Sequence, residues 1–61
     1  MSTLTAMVIQ SVKAIGKDKI TSEQIDYLRG KLSEKEKFEL IEDSKTTSAW
    51  VYGVIKKISE V

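Results

Sequence analysis

Both ends of the 61-residue chain carry apolar residues at the spacing of one α-helical face. Near the start, these residues are Leu4, Met7, Val8, Val12 and Ile15. Near the end, they are Trp50, Val51, Val54, Ile55 and Ile58. Because an α-helix repeats every 3.6 residues, each set predicts an amphipathic helix with one apolar side. We expect the first and last helices to supply most of a shared core.

Capping residues predict where the helices begin and end. Thr21 and Gln24 have the spacing of a capping box, which marks the start of a helix. Ser33 and Glu36 repeat this pattern later in the chain. Gly16 follows the first apolar stripe, at the position where a left-handed residue commonly ends a helix.

These signals predict a single all-α domain over residues 1–61, built as a small bundle of four short helices. The predicted helices run over about residues 3–15, 21–31, 34–43 and 48–60. Thr3 and Thr47 are the expected caps of the first and last helices. Gly30 ends the second helix or lies inside it, and the pattern leaves both readings open.

The absence of two residue types excludes several kinds of catalytic and metal-binding site. It contains neither cysteine nor histidine, which removes disulfides, the thiol nucleophile, the usual general base and the commonest metal ligand. A chain of this length also buries too little to enclose a typical ligand pocket of about 300 Å³ or more. We therefore expect no enzymatic activity, no cofactor and no metal site.

The absence of targeting signals and membrane spans indicates a cytoplasmic protein, and the balance of charges argues against nucleic-acid and membrane partners. Ten Lys and Arg residues against nine Asp and Glu give a net charge of +1, so no global field attracts nucleic acid or acidic lipid. Arg29 is the single arginine. Because arginine is the side chain best suited to binding phosphates and bases, its scarcity argues against nucleic-acid binding. No apolar run approaches the roughly 18 residues of a membrane span, and no signal peptide is recognisable. The initiating methionine favours a whole protein.

The aromatic residues are the first candidates for contacts with a partner. Tyr27 and Tyr52 lie off the apolar stripes, so we expect them to be exposed and to anchor a protein interface. Trp50 lies on the apolar face, which predicts a structural anchor in the core. Gly53 costs about 1 kcal/mol inside a helix. It therefore predicts close approach of another backbone, from the first helix or from a second subunit.

Acidic residues near the end of the third helix are the second candidates. Glu39, Glu42 and Asp43 lie where the helix dipole disfavours negative charge. They predict a surface that binds a basic partner, with a solvated helix end as the simpler alternative.

The second and third helices also have the order of a helix-turn-helix. Such a DNA-binding dimer would use Lys13, Lys17 and Lys19 together with these helices. However, Glu34 and Glu36 occupy the start of the third helix, where they would face phosphates. A plain helical hairpin is therefore favoured.

Much of the chain resembles a known family. The segments are AIGKDKIT (residues 14–21), LSEKEK (32–37), DSKTTSAW (43–50) and VIKKI (54–58). Their order over about residues 12–59 resembles the C-terminal helical region of abortive-infection (AbiE-type) type IV antitoxin-like proteins. The distinctive element is Ala49-Trp50, although Ser48 replaces the proline that the family carries before it.

The resemblance implies a detached partner-binding or regulatory module, because the winged-helix domain of the family is missing from this sequence. Neither DNA binding nor a catalytic residue is carried over. We expect a non-enzymatic protein–protein interaction module, antitoxin-like or a regulator from a mobile element. Its partner would be a toxin or a phage or host defence protein. A small dimeric helix-turn-helix regulator and a purely structural homodimer are the alternatives.

Overall fold

The computed structural model describes residues 3–60, and within that range it contains four α-helices and no strand. The helices are α1 (Thr3–Ile15), α2 (Ser22–Lys31), α3 (Glu34–Ser44) and α4 (Ala49–Ile58). The predicted all-α class and helix order are confirmed, and every boundary lies within two residues of its expected position.

Two capping boxes start the middle helices, as predicted. The Thr21 hydroxyl accepts a hydrogen bond from the backbone N–H of Gln24 at 3.2 Å. The side-chain oxygen of Gln24 accepts one from the backbone N–H of Thr21 at 2.8 Å. The Ser33 hydroxyl accepts a hydrogen bond from the backbone N–H of Glu36 at 3.1 Å. The Glu36 carboxylate accepts one from the backbone N–H of Ser33 at 2.8 Å. Each box satisfies two helix-end N–H groups that have no partner inside the helix.

α1 ends at a glycine in the left-handed conformation, as predicted. Gly16 has a φ of +100°, a conformation that a side chain would strain. Its N–H donates to the Val12 carbonyl at 3.1 Å, and its carbonyl accepts from the Lys19 N–H at 3.2 Å. By contrast, Gly30 lies within α2, which continues to Lys31 before it ends.

Two of the expected caps are wrong. Thr3 is itself helical in α1 and does not precede the helix as a cap would. Ser48, not Thr47, holds the cap position of α4, and its side chain makes no capping hydrogen bond. The Thr47 hydroxyl instead donates backwards to the Ser44 carbonyl at 2.6 Å. It thereby closes the end of α3, because that carbonyl has no partner in its own helix.

The core is centred on α4, which packs against each of the other three helices, while α1 also packs against α3. The buried apolar residues of the described chain are Val8, Ile9, Val12, Leu32, Leu40, Val51, Ile55 and Ile58. Most of them belong to α1 and α4, which confirms the expected role of the first and last helices. No residue of α2 is fully buried.

The buried side of α1 is rotated from its predicted position. Ile9, which lies off the main stripe, is only 3% exposed, whereas Met7 is 61% exposed. Both α3 and α4 pack on this helix, so its buried face includes the side that carries Ile9. Met7 is left on the opposite edge of that face.

Arg29 fastens α2 to the end of α4. Its Nη2 and Nε donate to the Lys57 carbonyl at 2.7 and 3.3 Å, and its Nη1 lies 3.0 Å from the Asp26 carboxylate. Its Nη2 also lies 3.7 Å from the Glu60 carboxylate. The single arginine therefore caps a carbonyl in the last turn of α4, where positive charge suits the helix dipole.

The capping box of α3 makes folding sensitive to acid. The hydrogen bond from the Ser33 amide, with a smaller effect of the Ser33 hydroxyl, lowers the pKa of Glu36 from its ordinary value of 4.5. Because the pKa of Glu36 is lower in the folded than in the unfolded chain, its ionised carboxylate stabilises the fold at pH values above the unfolded-state pKa. This contribution disappears as the pH falls through the folded-state pKa. NMR titration of the Glu36 carboxyl should give a midpoint below 4.5.

The neutral box of α2 provides a matched control for this titration. The variant Glu36→Gln should lose the acid-dependent step in stability, and Gln24→Glu should add a similar step at α2. A Glu36 midpoint at or above the ordinary glutamate value would contradict this account of the box.

Candidate functional site

An open groove lies between α1 and α2, because α2 packs chiefly on α4 and leaves the side of α1 uncovered. We call it the α1–α2 groove, and its volume is about 580 Å³. Its lining residues are Ser11, Ile15, Thr21, Glu23, Gln24, Tyr27 and Leu28. The floor is mainly apolar, and Glu23 is the one charged side chain in this lining.

Tyr27 lies in the wall of the α1–α2 groove and is 64% exposed, which confirms its predicted exposure. The Lys31 ammonium lies 5.3 Å from the centre of the Tyr27 ring, within the range of a cation–π contact. A role of Tyr27 in partner binding stays a prediction.

The predicted sites on α4 are only partly as expected. Tyr52 is half-buried, not fully exposed, and the Lys56 ammonium lies 5.5 Å from its ring centre. Trp50 packs against the core, as predicted for a structural anchor, but part of its ring is accessible. Gly53 is exposed, and a Cβ placed there would meet no heavy atom within 4 Å. The predicted close approach of the first helix to Gly53 is therefore wrong.

The three predicted acidic residues have separate surroundings. Asp43 accepts a hydrogen bond from the hydroxyl of fully buried Thr5 at 2.8 Å, which joins α3 to α1. Glu42 pairs with Lys45 at 3.1 Å on the same helix. Glu39 lies one turn before Asp43 and is partly exposed. Asp43 thus has a structural role in this chain, whereas Glu39 and Glu42 keep accessible carboxylates.

A second groove, which we call the α3–α4 groove, was not predicted from the sequence. Its volume is about 280 Å³, and it is lined by Glu34, Lys37, Phe38, Ile41 and Ser59. Phe38 is 68% exposed at this groove. Since Phe38 lies two positions before fully buried Leu40, helical geometry places it on the far side of α3. That spacing is the signal that could have identified it.

Residues 3–60 contain neither a metal-binding cluster nor a membrane-spanning helix. No group of three or more acidic side chains in this range is placed to hold a metal ion. None of the four helices has the length and apolar character needed to cross a membrane.

Comparison with known proteins finds no matching family model, curated protein or solved structure. The resemblance of residues 12–59 to AbiE-type antitoxin-like proteins therefore stays a prediction. The two grooves and the side chains beside them are the candidate sites of this structure.

The structural role of Asp43 can be separated from a binding role by mutation. Asp43→Ala removes the acceptor of the Thr5 hydroxyl and should lower the free energy of unfolding by about 1–2 kcal/mol. Glu39→Ala, one turn away on the same helix, should change it by less than about 0.5 kcal/mol. Urea unfolding at pH 7 measures both values. Equal losses in the two variants would show that the Thr5–Asp43 hydrogen bond does not join the helices as described.

Proposed function

We propose that this chain is a small non-enzymatic helical module that binds another protein in the cytoplasm and modulates it. The observation that supports this proposal best is the exposed Phe38 ring beside the α3–α4 groove. Under the family resemblance, the module would be antitoxin-like or a mobile-element regulator. Its partner would then be a toxin or a phage or host defence protein.

The surroundings of Phe38 resemble the centre of a protein interface. A single exposed apolar residue is common on protein surfaces, but Phe38 stands next to half-buried Ile41 in a concave site. Glu34 and Lys37, which carry opposite charges, line the same groove. An aromatic anchor with an apolar neighbour and a polar rim is typical of the residues that contribute most to protein binding.

Other predicted contacts can extend this surface. Glu39 and Glu42 keep accessible carboxylates on α3, the helix that carries Phe38, and suit a basic partner. Tyr52 presents part of its ring on α4. These residues and Tyr27 remain proposed partner contacts, whereas Asp43 is already engaged by Thr5.

The DNA-binding alternative has less support from the positions of the charges. The first turn of α3, which would have to approach the bases, carries Glu34 and Glu36. Lys13 belongs to the last turn of α1, and Lys17 and Lys19 lie in the turn that follows it. No base-reading helix therefore presents these cations.

Site-specific photocrosslinking in the source cell tests the proposal. A photoreactive phenylalanine analogue in place of Phe38 should give a discrete adduct with one other protein, identified by mass spectrometry. The same analogue at Lys13, which is exposed and lines neither groove, should give no such adduct.

Two outcomes would count against protein binding at the Phe38 surface. One is the absence of any adduct specific to position 38. The other is a shift of duplex DNA that is detectable at low salt and weakens steeply as salt rises, which would favour the helix-turn-helix alternative.

A further inference from the structure

We infer that the α1–α2 groove binds a second copy of this chain, with the α1 helices of the two copies packed antiparallel about a two-fold axis. This surface shares no lining residue with the α3–α4 groove. Self-association there leaves the Phe38 surface open to a different protein. The inference is therefore independent of the contact proposed for Phe38.

The shape of α1 supports pairing with itself. Met7, Ser11 and Ile15 are spaced four residues apart, so they form one row along the helix. Met7 projects at one end of the row and is 61% exposed. Ser11, a small side chain, lies in the middle, where the groove begins, and Ile15 lines the groove at the other end of the row. The row therefore has a projecting side chain, Met7, at one end and the α1–α2 groove at the other. Between them, the small Ser11 side chain permits close approach of a second helix.

A two-fold axis beside Ser11 matches these features to one another. In an antiparallel pair centred there, Met7 of one copy lies opposite Ile15 of the other and enters its α1–α2 groove. Symmetry makes the same contact twice, as an isologous interface requires. A flexible thioether suits an irregular apolar groove and makes favourable contacts with an aromatic ring such as that of Tyr27.

Charge distribution favours the same arrangement. The sequence of α1 contains one charged residue, Lys13, whereas α2 and α3 carry several charges of both signs. Lys13 lies two positions from Ser11 and from Ile15, so helical geometry turns it away from the row. Two α1 helices can therefore meet along this row without bringing like charges together.

The groove also supplies a charge that α1 lacks. The first turn of α1 contains no acidic residue. In the antiparallel pair, Glu23 in the wall of the groove faces the first turn of the other copy's α1. A carboxylate near a helix N-terminus is stabilised by the helix dipole, and the pair makes this contact twice.

The small size of the domain limits the affinity that we expect for the dimer. A standard stable interface removes roughly 800 Å² from each partner. The whole accessible surface of this chain is 4102 Å². An interface of that size would cover about a fifth of this surface, more than one helix row and one groove occupy, so we expect a weak, reversible dimer.

Sedimentation equilibrium of the full chain from micromolar to millimolar concentration tests the dimer. Met7→Asp places two carboxylates in the paired grooves and should weaken the dimer at least about 10-fold. Phe38→Asp introduces the same charge at an equally exposed apolar residue of the other surface and should leave the dimer unchanged. Circular dichroism of both variants checks that the monomers keep their helices.

A cysteine placed on the proposed axis locates the interface directly. Because the chain contains no cysteine, a disulfide between two Ser11→Cys side chains must join two copies, and it forms when the thiolate of one copy displaces glutathione from the mixed disulfide of the other. With oxidised glutathione the Ser11→Cys variant should dimerise much faster than Lys13→Cys, whose thiol points away from the partner. A monomeric wild type at millimolar concentration would overturn the inference. So would a dimer lost in Phe38→Asp but not in Met7→Asp, or equal crosslinking of the two cysteine variants.

The crosslinking proposed at Phe38 keeps the two proposals distinguishable. An adduct with another protein that persists in the Met7→Asp variant supports the Phe38 surface whatever happens to the dimer. A dimer that Met7→Asp weakens, without any adduct at position 38, supports the α1–α2 surface alone.

Discussion

Burial of one side of α4 holds the four helices together. Val51, Ile55 and Ile58 have no accessible surface, and all three other helices pack on the helix that carries them. Full burial of such a side chain stabilises a fold by about 1.5–3 kcal/mol. Since the sequence contains no cysteine to form a disulfide, this packing has to hold the small domain together.

The same packing explains why the helices differ in their attachment and why the surface has grooves. α1 and α3 contact each other as well as α4, and the Thr5–Asp43 hydrogen bond joins them. α2 buries no residue completely and is held by half-buried Ile25 and Leu28 and by the bonds of Arg29 to the Lys57 carbonyl. The α1–α2 groove is the space that this one-sided attachment leaves open.

The sequence predicts the helices well because their signals are local. Apolar periodicity and the two capping boxes depend on residues three or four apart, and the helix bounds follow from them. Whether Met7 or Ile9 is buried depends instead on where α3 and α4 pack on α1. Likewise, the Thr5–Asp43 hydrogen bond joins residues far apart in sequence, and the open surroundings of Gly53 depend on neighbours that local patterns do not specify. The grooves arise from the same long-range packing and could not be predicted, although the spacing of Phe38 from Leu40 does indicate that the Phe38 side chain is exposed.

Leu40 lies in the core and Phe38 lies exposed beside the α3–α4 groove on the other side of α3, and two alanine variants distinguish these positions. Leu40→Ala should lower the free energy of unfolding, measured by urea denaturation, by about 2–5 kcal/mol or leave the chain unfolded. Phe38→Ala removes a larger side chain but should change it by less than about 0.5 kcal/mol. A loss for Phe38→Ala as large as that for Leu40→Ala would show that the Phe38 ring belongs to the core and is not free to bind a partner.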